Sequence, residues 1–535
     1  MKQEGPRQQP AGWSTFSGLA DAMYALRRRC PSLTLLATST VHPRHVVPAE
    51  HLELMRVMAA ADGRVDLQDS VSAFVKRFIL SVLVAAWDTC TILALKLIFS
   101  SQLRKVRQAP VSVAMKTWCF GPGSVNSDAD FYFGDLHKRL PQRGVSCLLI
   151  CGNVLAAKDL RFAAEIFRQK DLLAVPELML VPVWAPFYSV CRQVATVFRL
   201  RRQMSGIKER NIRLVCRQAS VDCLHPNTTR NLMHYYVAKT VGKYWRPAVF
   251  VTLFEGQPSE KQAWHGMKSG WPGCKLVGYQ HTTVMRHSLS VSRPNRGSWE
   301  IVAPDVVLCL GEPTVRMISA GYEGTASKLV IFGSHRRPKS EGESHGPRLG
   351  DRTVIVVPEG NLFESRLLFN FALSAARLLP DHRFIFRCHP LLPFEKIREH
   401  LNQDVDALAN VVVSQESAIS TDFARSSVVL YRGSSAVSYA VLDGLRPVYV
   451  RSESDIFDVD PLFELQTWRD YVSSENELCE LLRGYTSLGD SEAMALWKPA
   501  WDYVNSYTVP VDEASIDRFV TAVQLNVRGN SELPS

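Results

Sequence analysis

A succession of short, unbroken apolar runs, spaced by helix-length segments, constrains this chain more than any other feature. The runs at 111–118, 145–152, 248–254, 275–280, 305–311 and 328–333 are short and continuously apolar. That pattern is what parallel strands require when helices cover both faces of their sheet. Beyond residue 351 the alternation is cleaner. TVIVV, RFIF, NVVV, SVVLY and RPVYV (ending at Val450) alternate with helical patterns from Glu364, from Pro393, near Thr421 and from Ser434. The expectation is an α/β chain with two doubly wound, Rossmann-like parallel sheets facing a cleft, whose ligands sit at the carboxyl ends of the strands.

At 535 residues the chain exceeds what one hydrophobic core ordinarily serves. The polar, Gly/Pro-rich stretch RRPKSEGESHGPRLGD at 336–351 reads as an interdomain linker. It separates a first, acceptor-side domain (13–335) from a second, nucleotide-binding domain (352–490). Residues 1–12 read as a disordered tail. Helical patterns in the last segment, 491–535, are expected to pack back on the first domain. Near the start, 16–29 has a helical pattern and LTLLAT at 33–38 looks strand-like.

The twelve cysteines are scattered and include no CxxC, so neither a zinc site nor a redox pair is expected. The polar N-terminus lacks the apolar core of a signal peptide, which favours a reducing cytoplasm. Of the net charge of +10, much is crowded into 76–105 and 192–217. A basic surface suits an anionic membrane or a phosphorylated substrate. No zinc-finger spacing and no RNP1 string occurs, so no nucleic-acid partner is expected.

Residues 78–99 are apolar enough to consider as a membrane span. Asp88 stands near the middle, at a cost of roughly 2.5–3.5 kcal/mol on insertion scales. On a helix, Ser81, Asp88, Thr89, Thr91 and Lys96 share one half, opposite Ile79, Leu83 and Leu97. Basic residues flank both ends. The reading is an amphipathic helix (about 76–107) lying on the cytoplasmic face of a membrane, with a core helix as the alternative. The Pro-interrupted apolar run at 172–203, leading into RLRRQ, reads the same way.

Two histidines stand just past apolar runs, His281 in YQHTT and His389 in RCHP. Brought together from facing domains, one imidazole is suited to take a proton from an attacking hydroxyl, the other to hold a phosphate leaving group. Glu255 ends a run in LFEGQPSEKQAW, where a carboxylate beside a glycine suits a base or a sugar-hydroxyl acceptor. Ser259 with Gln262 is expected to cap the following helix, which frees Glu255. PEGN, with Glu359 and Gly360, repeats that design in the second domain. Gly433, Ser434 and Ser435 open a helix after a strand, a turn suited to a nucleotide phosphate. Arg387 and Arg432 are phosphate partners or members of internal ion pairs. The DxD strings at 128–130 and 458–460 follow no clear buried strand, so no metal site is expected.

FEGQPSE, GYQHTT, PEGN, RCHPLLP and GSSAVSYAVLDGLRPV together resemble bacterial surface-carbohydrate biosynthesis proteins of the GT-B fold, over roughly 111–450. Similar motifs occur in teichoic-acid glycerophosphate polymerases, and HP motifs in bacterial sialyl- and Kdo-transferases. The resemblance implies a catalytic role for His281, a donor-phosphate role for His389 and a phosphate-binding role for Ser434 and Ser435. The chain departs from the polymerases in reading YQHTT where they have a Trp-His-Gly string, which leaves Glu255 as a competing base. It also lacks the sialyltransferases' acidic pair before glycine.

The implied activity is inverting, metal-independent transfer from a nucleotide-sugar donor to a lipid-linked or polysaccharide acceptor. It would proceed at the inner membrane face with no cofactor beyond the activated sugar. Glycerophosphotransfer from a CDP-activated polyol, UDP-sugar epimerisation and a catalytically inactive scaffold are the alternatives.

Overall fold

The computed structural model describes residues 13–525 apart from 43–51, 64–70, 121–128, 154–158, 170, 287, 289–290, 292–302, 321–326, 338–345, 391, 453–454, 456–458 and 486–487. The expected tail at 1–12 lies outside the described residues. The strands are β1 (Val113–Cys119), β2 (Cys147–Asn153), β3 (Ala174–Pro176), β4 (Val249–Leu253), β5 (Lys275–Tyr279), β6 (Val306–Cys309) and β7 (Lys328–Ile331) in the first half. The second half has β8 (Thr353–Val357), β9 (Arg383–Phe386), β10 (Val411–Val413), β11 (Val428–Tyr431), β12 (Arg446–Val450) and β13 (Asp470–Val472).

They form two all-parallel sheets, of seven strands in the order β3-β2-β1-β4-β5-β6-β7 and of six in the order β10-β9-β8-β11-β12-β13. Every residue of β4 and β8 is buried, because helices cover both faces. In each sheet the direction of winding reverses once, between β1 and β4 and between β8 and β11. The carboxyl ends at such a reversal diverge and leave a crevice.

Some expectations need correction. LTLLAT is not a strand, since Leu33–Leu36 is a helical turn in which the Thr38 hydroxyl donates to Thr34 O at 2.9 Å. So short an apolar run is compatible with either periodicity. The 172–203 run is not one amphipathic helix. It divides into strand β3, a 3-10 turn at Glu177–Leu180 and a helix at Ala185–Met204. The second sheet gains β13 beyond the five expected strands.

The start of the 336–351 stretch is tied down. Arg337 donates to Asn505 O at 3.0 Å, and Ser334 pairs with Pro510. The two halves meet through Arg316, whose guanidinium lies 2.7–2.9 Å from the Glu464 carboxylate. Chain ends join them too. Tyr507, closing the Asp490–Tyr507 helix, accepts the Val284 N–H at 2.7 Å, and a Cβ at Gly311 would meet Ser506 O at 2.0 Å. The Glu513–Val523 helix shares the core of β6 and β7 through Ile516 and Phe519.

The Val71–Ile98 helix is the one element among the described residues long and apolar enough to cross a bilayer by length and composition. Its inner face presents Ser81, Ala85, Asp88, Ile92 and Leu95, all buried, and the Ser81 hydroxyl donates to Leu224 O. Its outer face exposes Ile79, Leu83, Trp87 and Leu97 by 52–69%. Tyr188 and Phe198 of the Ala185–Met204 helix, which packs beside it, are also exposed, as is Trp184 at its N-cap.

Candidate active site

The first component is built where β4 and β5 end. Glu255 follows β4, and Gly256, at φ +81°, turns the chain into the Pro258–Gly270 helix. A left-handed φ of this kind favours glycine. Glu260 caps that helix by accepting the backbone N–H of Glu255 and Gly256, each at 2.9 Å, and of Gln257 at 3.0 Å. The cap is therefore Gln257 with Glu260, not Ser259 with Gln262, whose amide donates to Leu33 O.

The carboxylate of Glu255 is left to face the end of β5. There Oε1 lies 2.9 Å from His281 Nε2. His281 is buried, its ring set edge-on to Tyr132 at 4.7 Å between centroids; among the described residues neither Nδ1 nor Nε2 makes a well-aligned hydrogen bond, so the Glu255 contact is one of proximity. Burial and the Glu255 charge push the Glu260 carboxyl up to about 8, outweighing its three N–H donors. Burial, and then the same charge, pushes the Tyr132 phenol up to about 12.

The second component forms at the reversal between β8 and β11. A Cβ at Gly360 would stand 2.6 Å from His389 Nδ1, and one at Gly433, where φ is +64°, 2.7 Å from Glu359 Oε2. Glu359, Gly360, His389 and Gly433 are thus gathered at one place, and the left-handed φ at Gly433 favours glycine there. Burial, and then the charge of Arg336, lowers the His389 pKa and keeps its ring neutral near pH 7. Ser434, buried, and Ser435, exposed, open the seven-residue Ala436–Leu442 helix.

Arg387 and Arg432, expected as phosphate partners, are turned inward instead. Arg387 donates to the buried Asp422 carboxylate at 3.1 Å and to Ser414 at 3.2 Å. Arg432, 1% exposed, is held between Glu364 and Asp455 and donates to Val450 O. A guanidinium so enclosed by carboxylates stabilises the sheet and has no donors to lend a ligand.

A cation beside the site comes from the 336–351 stretch, expected as a linker. The Arg336 guanidinium lies 4.3 Å from the ring centre of Phe131 and 5.0 Å from that of Tyr132, and its charge acts on His389. It also acts on Tyr439 in the helix that Ser434 and Ser435 open. Arg336 stacks on rings of the first domain and reaches His389 and Tyr439 of the second through its charge. No local pattern could have announced it.

Of the DxD strings, Asp128 and Asp458 lie outside the described residues. Asp130 accepts the Thr117 hydroxyl at 2.7 Å and the Phe133 N–H, and Asp460 accepts the Tyr431 hydroxyl at 2.8 Å. Among the described residues no group of His, Cys, Asp and Glu could hold a metal ion.

No protein-family model and no curated protein matches the sequence. Solved structures to which it is similar include α,α-trehalose 6-phosphate synthase from Burkholderia multivorans (TM-score 0.46, 12% identity, 78% of this chain and 98% of that one). Another is a kitacinnamycin glycosyltransferase (0.44, 13%, 78% and 100%). A third is UDP-GlcNAc 2-epimerase from Neisseria meningitidis bound to UDP-GlcNAc (0.42, 9%, 77% and 100%). The likeness is one of chain course at low identity.

Proposed function

We propose that this chain is a glycosyltransferase that moves a sugar from a nucleotide-activated donor to a hydroxyl of a surface-polysaccharide or lipid-linked acceptor. The observation that carries the reading is the His281–Glu255 contact at 2.9 Å, at strand ends of one sheet, with Arg336 linking it to His389 on the other. His281, oriented by Glu255, takes the proton of the attacking hydroxyl as the bond to the anomeric carbon forms. The leaving phosphate is received by His389 and Arg336, with the Ser434–Ser435 turn and Glu359 about the nucleotide. Direct displacement with these groups alone gives inversion and calls for no metal.

The cavity that opens beside Glu255 favours transfer to an acceptor over epimerisation, which needs none. The exposed apolar stripe at Leu83, Trp87 and Leu97, with basic residues at both ends of its helix, supports peripheral attachment to an anionic membrane. Turnover of UDP-, CDP-, CMP- and GDP-sugars in the presence of a lipid-linked acceptor pool tests the reading. Product retaining the donor's anomeric configuration, or no turnover with any donor, counts against it.

A further inference from the structure

A cavity of about 460 Å³ lies at the other reversal of winding, between the ends of β1 and β4, and runs from Glu255 and Tyr132 to the inner face of the Val71–Ile98 helix. Its size is within the ~300–1,000 Å³ usual for small-molecule sites. Trp87 both lines it and stands 66% exposed on the outer apolar stripe, so the cavity reaches the surface beside that stripe.

Its walls are of two kinds. Trp118, Phe120 and Phe162 supply aromatic surface; Arg230 adds a guanidinium, while the Asn153 amide donates to Asp159 and the Asn231 amide to Ala37 O, each at 2.8 Å. The acceptors are carboxyls: Asp88, Asp159, Glu177, Glu255 and Glu260 all line the space. Asp88 is 6% exposed, and among the described residues its Oδ2 has no hydrogen-bond partner; Arg230 Nε stands 3.8 Å from it. A buried, under-satisfied acceptor midway along an otherwise apolar helix is costly unless something donates to it.

Deeper in, Glu177 lies 3.1 Å from Lys116 Nζ and 3.4 Å from His234 Nδ1. Burial would raise Glu177, but Lys116 and His234 outweigh it and hold it down at about 2. Burial and then Lys116 lower His234, which leaves that ring neutral near pH 7. Arg230 is then the one guanidinium among the lining residues; of the carboxyls, burial pushes those of Asp88, Asp159 and Glu260 up, toward the form that donates as well as accepts. Such a space offers phosphate and carboxylate a single cation, Arg230, and suits hydroxyl and amine donors over aromatic faces.

We propose that this cavity binds the uncharged or amino-bearing saccharide head of a membrane-anchored acceptor, with Asp88 accepting from a sugar hydroxyl and the anchor leaving past Trp87 into the lipid. The proposal rests on the transfer reading above, because the cavity ends at Glu255. It adds that the acceptor is selected by charge and enters from the lipid side. The same helix thus meets the membrane with one face and the sugar with the other.

The test uses the full chain and octyl β-glycosides of glucose, galactose, mannose and N-acetylglucosamine, below their micellar concentrations. Their 6-phosphates and UDP serve as comparators, and binding is measured by calorimetry and saturation-transfer NMR. At least one neutral octyl glycoside should bind, and its 6-phosphate more weakly. Asp88→Asn should weaken the neutral glycoside by about tenfold, as for a lost charge-assisted hydrogen bond. Trp118→Leu should weaken it as well, with UDP binding unchanged in both variants. The proposal is overturned if UDP binds but no glycoside does. It is also overturned if the 6-phosphate binds as well as its neutral parent, or if both variants bind like wild type. Glycoside binding without binding of any nucleotide would overturn the transfer reading instead.

Discussion

His281 Nε2 lies 2.9 Å from Glu255 Oε1, which joins two residues from the ends of neighbouring strands β4 and β5 in one acid–base unit. A carboxylate beside an imidazole holds the ring in place for proton transfer from a hydroxyl. His281→Ala and Glu255→Gln should each lower turnover by about 10²–10⁴-fold while donor affinity is kept. Their effects should not multiply in the double variant, since each breaks the same unit. Steady-state kinetics beside donor titration checks this, and full activity in both single variants would remove the chemistry from this domain.

Arg432 and Arg336 should part company on substitution. Arg432→Ala leaves the fully buried Glu364 carboxylate without its guanidinium, and should cost about 3–5 kcal/mol of stability. Arg336→Gln should leave unfolding unchanged and weaken a nucleoside diphosphate more than the free nucleoside. Denaturant unfolding and calorimetry separate the two. A stable Arg432→Ala variant with impaired nucleotide binding would reverse the assignment.

Glu260 gives a pH dependence with a definite sign. Its carboxyl is pushed up from 4.5 to about 8, so the protonated form is the one the fold favours. The stability it contributes is present below about pH 4.5 and is lost as pH rises through about 8. Wild type should therefore lose ground to Glu260→Gln between pH 5 and pH 8.5 in thermal unfolding. A constant difference across that range contradicts the argument.

Membrane attachment should be part electrostatic and part apolar. Each basic residue near an anionic surface contributes about 1 kcal/mol, screened by salt. Sedimentation with anionic liposomes should fall as salt rises, leaving a residue due to insertion. Polar replacement of Ile79, Leu83 and Leu97, all exposed on the outer face, should abolish that residue. Retention after carbonate washing would indicate a span, and no sedimentation at any salt would leave these side chains unexplained by lipid.

Legibility followed burial and sequence distance. β4, β8 and β12 could be read because every residue in them is buried, so each is predominantly apolar. β13, Asp470–Val472, carries no apolar run that would mark it, unlike the equally short edge strand β10, Val411–Val413. The outward placement of Leu83 and Leu97, opposite Asp88, followed from helical period alone. Glu255, His281, His389 and Gly433 were legible because strand ends in a doubly wound sheet point at the crevice. Arg387 and Arg432 looked the same in sequence but are neutralised by Asp422 and by Glu364, partners that local pattern does not reveal. Arg336, like Glu177 with Lys116 and His234, acquires its meaning only from residues far along the chain.

The central claim is that the site between His281 and His389 holds a nucleotide-activated sugar. Titrating CMP, CDP, UDP and GDP into the full chain and into His389→Ala, by calorimetry with parallel thermal unfolding, tests it most directly. The account predicts that at least one of these nucleotides binds the native chain. Its melting temperature should rise as ligand binding requires, and both effects should be lost or strongly weakened in His389→Ala with the unliganded fold intact. Binding of no nucleotide to the native chain, or equal binding to the variant, would contradict it.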